Sequence, residues 1–159
     1  MQDMAELQTL SDTAQVVIDP VAEADLAWIE ALDAQITGRP KPDYWRRLFE
    51  GARSEPGRSF FLVARNGSGR VGFIAGEIRA WEFGSEPCGW IFAIGVDPDN
   101  RLRSVGTQLF DAVCDRFRQA GVTKVRTMIA REAQLILSFF RAHGMMAGPF
   151  VELEKDLDE

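Results

Sequence analysis

Apolar residues recur along the chain with two different spacings, and each spacing indicates a different secondary structure. Spacings of three to four residues predict helices at about 21–36, 44–52, 104–119 and 132–143. Alternating or continuous apolar runs between turn-forming residues predict strands at 15–19, 59–65, 71–83, 89–96, 123–129 and 150–153. The predicted element order is therefore β-α-α-β-β-β-α-β-α-β, with Asp33 on the outer side of the first helix.

The order of these elements predicts the fold class. The strands between 59 and 96 follow one another through short turns, which favours an antiparallel meander. The later strands alternate with helices, and such βαβ connections make neighbouring strands parallel. We therefore predict an α/β (α+β) fold with a mixed, mostly antiparallel central sheet and helices on both faces. No repeat or linker interrupts the pattern, so we predict a single domain at 15–159 behind a flexible lead-in at 1–14.

Composition and charge narrow the class of partner. Of the 159 residues, 46% are hydrophobic and 26% are charged, as in an ordinary globular domain. The formal net charge of −6 argues against a nucleic-acid partner; it could attract a cationic acceptor or simply keep the protein soluble. Residues 1–11 are mixed and acidic, so we expect no signal peptide, and no apolar run is long enough for a membrane span. Cys88 and Cys114 lack metal-binding spacing. We therefore expect a cytoplasmic protein with no membrane contact and no metal.

The segment that follows Val96 has the features of an anion site. A polar loop leads from the predicted strand to a helix that begins near Ser104, so the first helical amides and the positive end of the helix dipole face the loop. Gly106 allows close backbone approach, and Arg101 and Arg103 add positive charge. The segment predicts a pyrophosphate site, although a strand, a glycine-bearing loop and a helix also occur together in many folds that bind nothing there.

Two runs of residues resemble the motifs of one enzyme superfamily. Val96-x-Pro98-x-x-Arg101-x-x-Ser104-x-Gly106-x-x-Leu109 resembles motif A of the GNAT superfamily of acetyl-CoA-dependent N-acyltransferases, and residues 135–145 resemble its second motif. The predicted element order is also that of the superfamily. The resemblance implies acetyl-CoA as the cosubstrate, bound by Ile94, Val96, Arg101, Leu102, Arg103, Ser104, Val105, Gly106, Thr107 and Phe140.

Three residues depart from the motifs of the superfamily. Ser104 stands where the first motif glycine is usual, though its N–H can still donate to a phosphate. Ala133 stands where an asparagine is common near the pantetheine arm. Phe140 stands where many members have a tyrosine whose hydroxyl protonates the departing thiolate, and a phenyl ring cannot donate a proton. The resemblance therefore supports cofactor binding more strongly than it supports any one catalytic residue.

Acetyl transfer to an amine requires a neutral amine, a stabilised oxyanion and a departing thiolate. The resemblance places the thioester beside strand 90–96, where a backbone N–H would bind the oxyanion and Gly95 could mark a β-bulge or a crowded position. That strand carries no acid, and Glu77 on the preceding strand is the candidate general base ahead of Glu82, with a surface ion pair to Arg79 as the alternative role of Glu77. If the amine loses its proton to water, no dedicated base is needed. Tyr44, the only tyrosine, is the candidate phenolic donor, with a place in the hydrophobic core as the alternative.

The leading hypothesis is an N-acetyltransferase that moves an acetyl group from acetyl-CoA to a primary amine, either of a small molecule or of a protein N-terminus. The alternative is a non-catalytic acyl-CoA-binding sensor or interaction domain of the same fold, which Phe140 and the lack of an acid in the central strand favour. We expect the acceptor between the first two helices and the far end of the sheet, with the linker 38–45 as the main specificity element. A homodimer is implied by family habit alone.

Overall fold

The computed structural model describes residues 15–158, apart from the side chains of 101–103. The flexible lead-in predicted at 1–14 lies outside the described residues. The strands are β1 (Val17–Pro20), β2 (Ser59–Asn66), β3 (Gly69–Arg79), β4 (Cys88–Val96) and β5 (Val125–Thr127). The helices are α1 (Leu26–Thr37), α2 (Pro42–Ser54), α3 (Val105–Gln119) and α4 (Gln134–Ala142). None of the helices described is long and apolar enough to cross a membrane.

The chain divides into two compact units, one ending at Met128 and the other beginning at Ile129. The first unit contains all five described strands and α1 to α3, and the second contains α4 and the residues after it. The strand predicted at 150–153 is wrong, because these residues form no regular secondary structure. An apolar run becomes a strand only when its backbone finds a ladder to join. The single domain over 15–159 stays a prediction.

The sheet has the order β1-β2-β3-β4-β5. The first four strands pair antiparallel with their neighbours, and β5 runs parallel to β4. The connection from β4 through α3 to β5 is therefore a crossover, as the alternation of strand and helix predicted. A mixed, mostly antiparallel sheet is confirmed.

Helices α1 and α2 cover one face of the sheet. Their apolar side chains, with Trp45 fully buried at 1% exposure, pack against Phe61 and Phe73 of the sheet. The Trp45 ring stacks on Phe61 with centroids 5.8 Å apart and meets Phe73 edge-on at 5.2 Å. These contacts form the main core of the first unit.

Helix α3 covers the opposite face, and glycines of the sheet allow it to approach. A Cβ at Gly89 would lie 2.5 Å from the Phe117 ring, and one at Gly76 would lie 2.9 Å from the same ring. Phe60, which points away from the side that Phe61 occupies, meets Phe117 edge-on at 5.5 Å. The prediction of helices on both faces is therefore confirmed.

A buried carboxylate fixes the start of α1 to the sheet. Asp25 is 1% exposed and receives hydrogen bonds from Arg65 Nη2 at 2.6 Å, Arg70 Nε at 2.6 Å and the Ala22 N–H at 2.8 Å. Burial alone would raise the pKa of Asp25, but the bonds from Arg65, Ala22 and Arg70 outweigh it and lower the pKa from 3.8 to about 2. The carboxylate is therefore charged at any ordinary pH and ties this turn to β2 and β3.

Candidate functional site

Strand β4 changes its pairing in the middle. Against β3, Ala93 pairs with Ala75 and Ile91 pairs with Gly76, so Phe92 is an extra residue in β4 and forms a β-bulge. On its other side β4 pairs with β5 only at 89–91. From Phe92 to Val96, no strand within residues 15–158 joins β4 on the side opposite β3. We call this side of 92–96 the open edge.

The backbone groups that face the open edge follow from strand alternation. The Asp97 N–H donates to the Val71 carbonyl at 2.9 Å, so the backbone of residue 97 points toward β3. Successive residues of a strand direct their N–H and C=O groups to alternate sides. The N–H groups of Ile94 and Val96 therefore point to the open edge. That one of them binds the oxyanion, as the family resemblance implies, stays a prediction.

The bulge is at Phe92, three residues before Gly95, where the sequence suggested it. The suggestion of a bulge at Gly95 is wrong, and the alternative of a crowded position is right: a Cβ there would lie 2.6 Å from Cε1 of Phe73. No sequence signal marks Phe92, because apolar residues surround it on both sides in β4 and the alternation is hidden.

A tight loop connects the open edge to the N-terminus of α3. Asp97 Oδ1 accepts from the Asp99 N–H at 3.0 Å and starts a 3₁₀ turn over Pro98–Arg103. Ser104 then adopts the left-handed conformation, with φ 57° and ψ 23°, before the first helical residue. The Gln108 N–H donates to the Ser104 carbonyl at 3.1 Å and closes the first turn. The amides that precede it in α3 face back toward the loop.

The structure brings together most of the residues predicted to hold the cofactor. Ile94 and Val96 are near the end of β4, Ser104 directly precedes α3, and Val105, Gly106 and Thr107 form its first turn. Arg101, Leu102 and Arg103 lie in the 3₁₀ turn between them, with side chains outside the description. Phe140 belongs to the second unit, where it is buried and its ring meets Phe139 at 5.2 Å, so its role toward a cofactor stays a prediction.

Beside the bulge, on the face that α1 and α2 cover, lies a cavity of about 140 Å³. Its lining includes Leu48, Gly51, Glu55, Glu77 and Phe92. Glu77 Oε1 accepts from Arg79 Nε at 3.0 Å, which confirms the ion pair foreseen from the sequence, yet the Glu77 side chain is still 32% exposed. A carboxylate in this position can contact both a neighbouring cation and a molecule that enters the cavity.

Tyr44 lies one helical turn before Leu48 and is only partly buried. Its ring meets Trp45 edge-on at 4.9 Å. Burial raises the pKa of Tyr44, and the negative charges of Asp33 and Glu77 raise it further. The hydroxyl therefore keeps its proton at neutral pH and is able to donate it, whereas Trp45 belongs to the core.

Neither cysteine adds a reactive thiol to this site. Cys88 and Cys114 are both buried, and burial raises the pKa of Cys114 to about 11, against a lowering by Arg118. Within residues 15–158, no group of three or more His, Cys, Asp or Glu side chains is arranged to hold a metal ion.

The chain is similar to known proteins in both sequence and fold. A sequence profile of the acetyltransferase (GNAT) family matches residues 25–145. Among solved structures, the aminoglycoside N-acetyltransferase AAC(6')-Iy in complex with CoA is 18% identical with a TM-score of 0.75, over 90% of this chain and 95% of its own. The glucosamine-6-phosphate N-acetyltransferase of Arabidopsis thaliana is 19% identical with a TM-score of 0.69, over 91% and 99% of the two chains. No curated protein matches the sequence.

Proposed function

The chain belongs to the acetyltransferase (GNAT) family, and on that premise we propose that it moves an acetyl group from acetyl-CoA to a primary amine by direct transfer. The observation that carries the proposal is the open edge of β4. It begins at the Phe92 bulge beside the cavity that contains Glu77, and it ends at the loop before α3. One continuous path thus joins an anion site to a carboxylate.

The cofactor would lie along this path with its pyrophosphate at the start of α3. The helix dipole and the first amides favour an anion there, and Gly106 has no side chain to block its approach to the backbone. The pantetheine arm carries two amides and can pair with the open edge as an added strand would. Val96 is closer to the loop, so it would bind the arm, and Ile94 would then be nearest to the thioester carbonyl.

The chemistry assigns one task to each group. Glu77 would accept the proton of the acceptor ammonium, directly or through a water, so that the neutral amine can attack the thioester carbon. The Ile94 N–H would stabilise the oxyanion of the tetrahedral intermediate, and its collapse would break the C–S bond. Tyr44 is the candidate donor of a proton to the departing thiolate, since Phe140 has none to give. The second proton of the attacking nitrogen would return to the Tyr44 oxygen, directly or through a water, as the amide forms.

A cationic acceptor is consistent with the charges of this chain. The cavity is lined by two carboxylates, those of Glu55 and Glu77, and by one guanidinium, that of Arg47, and the formal net charge of the chain is −6. Among the structural neighbours, AAC(6')-Iy was solved with a bisubstrate analogue of CoA and monomethyl-acetylneamine. A small-molecule amine therefore suits the cavity better than a folded protein surface, and a flexible protein N-terminus is a further acceptor to test.

The cofactor assignment is tested by Gly106→Trp, measured by CoA titration calorimetry. The indole would fill the phosphate site, and the loss of charge-assisted hydrogen bonds corresponds to about a 100-fold weaker CoA affinity. Asp111→Trp places the same side chain on an exposed position of the same helix and should leave the affinity unchanged. If folded Gly106→Trp bound CoA as tightly as the parent, the anion would have to lie elsewhere.

Catalysis is tested by thiol release from acetyl-CoA with a panel of amines and N-terminal peptides. Glu77→Gln should lower kcat/KM roughly 100-fold or more by removing the base. Glu55→Gln, which alters another carboxylate of the same cavity, should change it only a few-fold. Tight CoA binding without turnover of any amine would instead identify the chain as a non-catalytic acyl-CoA sensor.

A further inference from the structure

The carboxylate of Glu77 is held by a guanidinium that itself lies on an aromatic ring. Across the β3–β4 ladder Glu77 lies opposite Trp90 and Arg79 lies opposite Cys88, so the side chains of Glu77, Arg79 and Trp90 project from the same face of the sheet. Arg79 Cζ lies 5.0 Å from the centroid of the Trp90 ring, within the range of cation–π attraction. Arg79 Nε donates to Glu77 Oε1 at 3.0 Å. We call Arg79 and Trp90 the carboxylate clamp.

The clamp holds one oxygen of Glu77 and leaves the other one free. Glu77 Oε2 has no hydrogen-bond partner among the described residues. Arg47, the other guanidinium beside the cavity, forms no ion pair among them. A glutamate side chain rotates about several bonds, and a hydrogen bond to one of its oxygens restricts those rotations. Because Glu77 lines the cavity, its free oxygen is available to a molecule that enters there.

A second carboxylate near Tyr44 differs from Glu77 in this respect. Asp33 is only 8% exposed, so its predicted place on the outer side of α1 is wrong. Its Oδ2 lies 3.0 Å from Nζ of Lys41, the residue just before α2, and Asp33 is not part of the cavity lining. Asp33 is therefore enclosed at the junction of α1 and α2, whereas Glu77 combines one fixed oxygen with access to the cavity.

The clamp lies near the other groups to which a task in the reaction is assigned. Phe92, the bulge residue where the open edge begins, lines the same cavity as Glu77. Burial is the largest cause of the raised pKa of Tyr44; the charge of Glu77 raises this pKa further, and the charge of Arg79 lowers it. Both members of the ion pair therefore act electrostatically on the candidate proton donor, so the clamp, Glu77 and Tyr44 belong to one site.

We propose that Arg79 and Trp90 are positioning residues for Glu77: they hold its Oε1, so that Oε2 is presented to the acceptor amine in the cavity. This inference rests on the proposed function, in which Glu77 is the base. A carboxylate that is oriented before the amine binds has its proton-accepting oxygen within reach in a larger fraction of the bound complexes. Arg79 and Trp90 act through Glu77, so their loss should lower the rate of transfer and not the affinity for either substrate.

The clamp is tested by single-turnover kinetics of Arg79→Ala with an amine that the parent acetylates. The transfer rate at saturating amine should fall about 10-fold, whereas the half-saturating amine concentration and the Kd for CoA should change less than about 2-fold. Arg79→Lys keeps the charge but has no planar group that can lie on the ring and donate from its edge, so its rate should stay at least about 3-fold below the parent. Arg58→Ala is the matched control: it removes the guanidinium that lies 3.5 Å from Glu55, the other carboxylate of the cavity, and should leave the rate unchanged.

Chemical rescue separates orientation of Glu77 from a purely structural role of Arg79. Ethylguanidinium added to Arg79→Ala can lie on the Trp90 ring and donate to Glu77 Oε1, so it should restore about a third or more of the lost rate, with saturation. Tetramethylammonium chloride at equal concentration has no donor and should not. In Glu77→Gln/Arg79→Ala, ethylguanidinium should have no effect, and the rate should equal that of Glu77→Gln alone, because the clamp acts only through Glu77. Arg79→Gln provides a second background if Arg79→Ala does not fold.

The contribution of the aromatic ring is tested by Trp90→Leu. The leucine keeps an apolar side chain on β4 but removes the surface on which the guanidinium lies. The transfer rate should fall about 3-fold, less than in Arg79→Ala, because the hydrogen bond from Arg79 to Glu77 can still form. In the Arg79→Ala background the same substitution should cause no further loss, and it should abolish the rescue by ethylguanidinium.

Failure of the clamp and failure of the proposed function give different results. A parent that acetylates no amine would exclude the function, and the clamp with it. A parent whose transfer rate depends on Glu77 but is unchanged in Arg79→Ala would retain the function and exclude the clamp. The clamp is also excluded if Arg79→Lys has the parental rate, if ethylguanidinium gives no rescue, or if Arg79→Ala costs as much in the Glu77→Gln background as in the parent.

Discussion

Strand β4 consists of two halves that differ in what their backbone is bonded to. Residues 88–91 pair with β3 on one side, and Gly89 to Ile91 pair with β5 on the other. Residues 93–96 pair with β3 alone, and Phe92 between the two halves is the bulge. The first half is closed structure, packed so tightly at Gly89 that a methyl group would collide with Phe117. The second half directs N–H and C=O groups to a side where none of the described strands pairs with it, and an edge of this kind is where an extended ligand can bind.

One bulge, at Phe92, separates the part of β4 that pairs on both sides from the part that forms the open edge. Phe92 adds a residue to β4 but not to β3, and the pairing with β5 stops one residue earlier, at Ile91. Bulges bend a strand and increase its twist, and the pairing of β4 with β5 ends directly before this one. The resulting gap lies next to the N-terminus of α3, where an anion is favoured. The two halves thus share the ladder with β3, and only the first half has a second ladder, with β5.

The largest predicted effects come from proline substitutions at two neighbouring residues of β4. Ala93→Pro should mainly lower folding stability, and Ile94→Pro should mainly lower kcat. By alternation the Ala93 N–H belongs to the β3 ladder, so proline there should cost about 3 kcal/mol or more and unfold much of the population. The Ile94 N–H faces the open edge, where proline is tolerated, so this variant should remain folded. Its kcat should nevertheless fall about 100- to 1,000-fold, because the oxyanion loses its donor.

Circular dichroism melts and thiol-release kinetics on both variants check this pair. A folded and fully active Ile94→Pro would show that its N–H is not the oxyanion donor. A folded Ala93→Pro would contradict the assignment of which backbone groups face β3.

A change in the closed half should affect stability without affecting catalysis. In Gly89→Ala the new Cβ lies 2.5 Å from the Phe117 ring, and the backbone of β4 is held from both sides. Overpacking of this kind should destabilise the fold by about 3 kcal/mol, measured by urea unfolding. Gly57→Ala, which has open space around its Cβ, is the control and should stay near the parent. A drop in kcat/KM of the folded fraction would mean that the two halves are not separable.

Asp25, at the start of α1, should make the free energy of unfolding depend on pH without affecting CoA binding. The pKa of Asp25 falls from 3.8 to about 2 on folding, so its stabilisation is complete above pH 4 and is lost as the pH falls through about 2. The shift corresponds to roughly 2 kcal/mol. Asp25→Asn should be less stable at pH 7 and should show a flatter stability profile between pH 4 and pH 2. Its CoA affinity should match that of the parent, since Asp25 contacts neither the loop nor β4.

The sequence predicts those features of the two halves that depend on neighbouring residues in the chain. It does not predict burial or pairing that depends on residues elsewhere in the chain. The turn before α3 and the order of the elements up to α4 follow from local patterns, and the structure agrees. Asp33 could not be placed, because a charge on a helix is buried only when a distant partner such as Lys41 meets it. Phe92 could not be identified, because a continuous apolar run has no alternation to break. Residues 150–153 have strand-like composition but no partner strand within the described residues, and pairing cannot be read from one segment.

The smallest predicted effect concerns backbone strain where the open half meets α3. Ser104 holds φ at 57° without a side-chain cap on the helix, and a left-handed conformation costs a non-glycine residue about 1 kcal/mol. Ser104→Gly should therefore raise the melting temperature by about 2–4 °C, whereas Ser104→Ala, which keeps the Cβ, should leave it unchanged. CoA affinity should stay equal or improve in the glycine variant, because the amides of α3 keep their direction. Equal stabilisation by alanine and glycine would show that the strain lies elsewhere, and that the junction between site and scaffold is as relaxed as the closed half of β4.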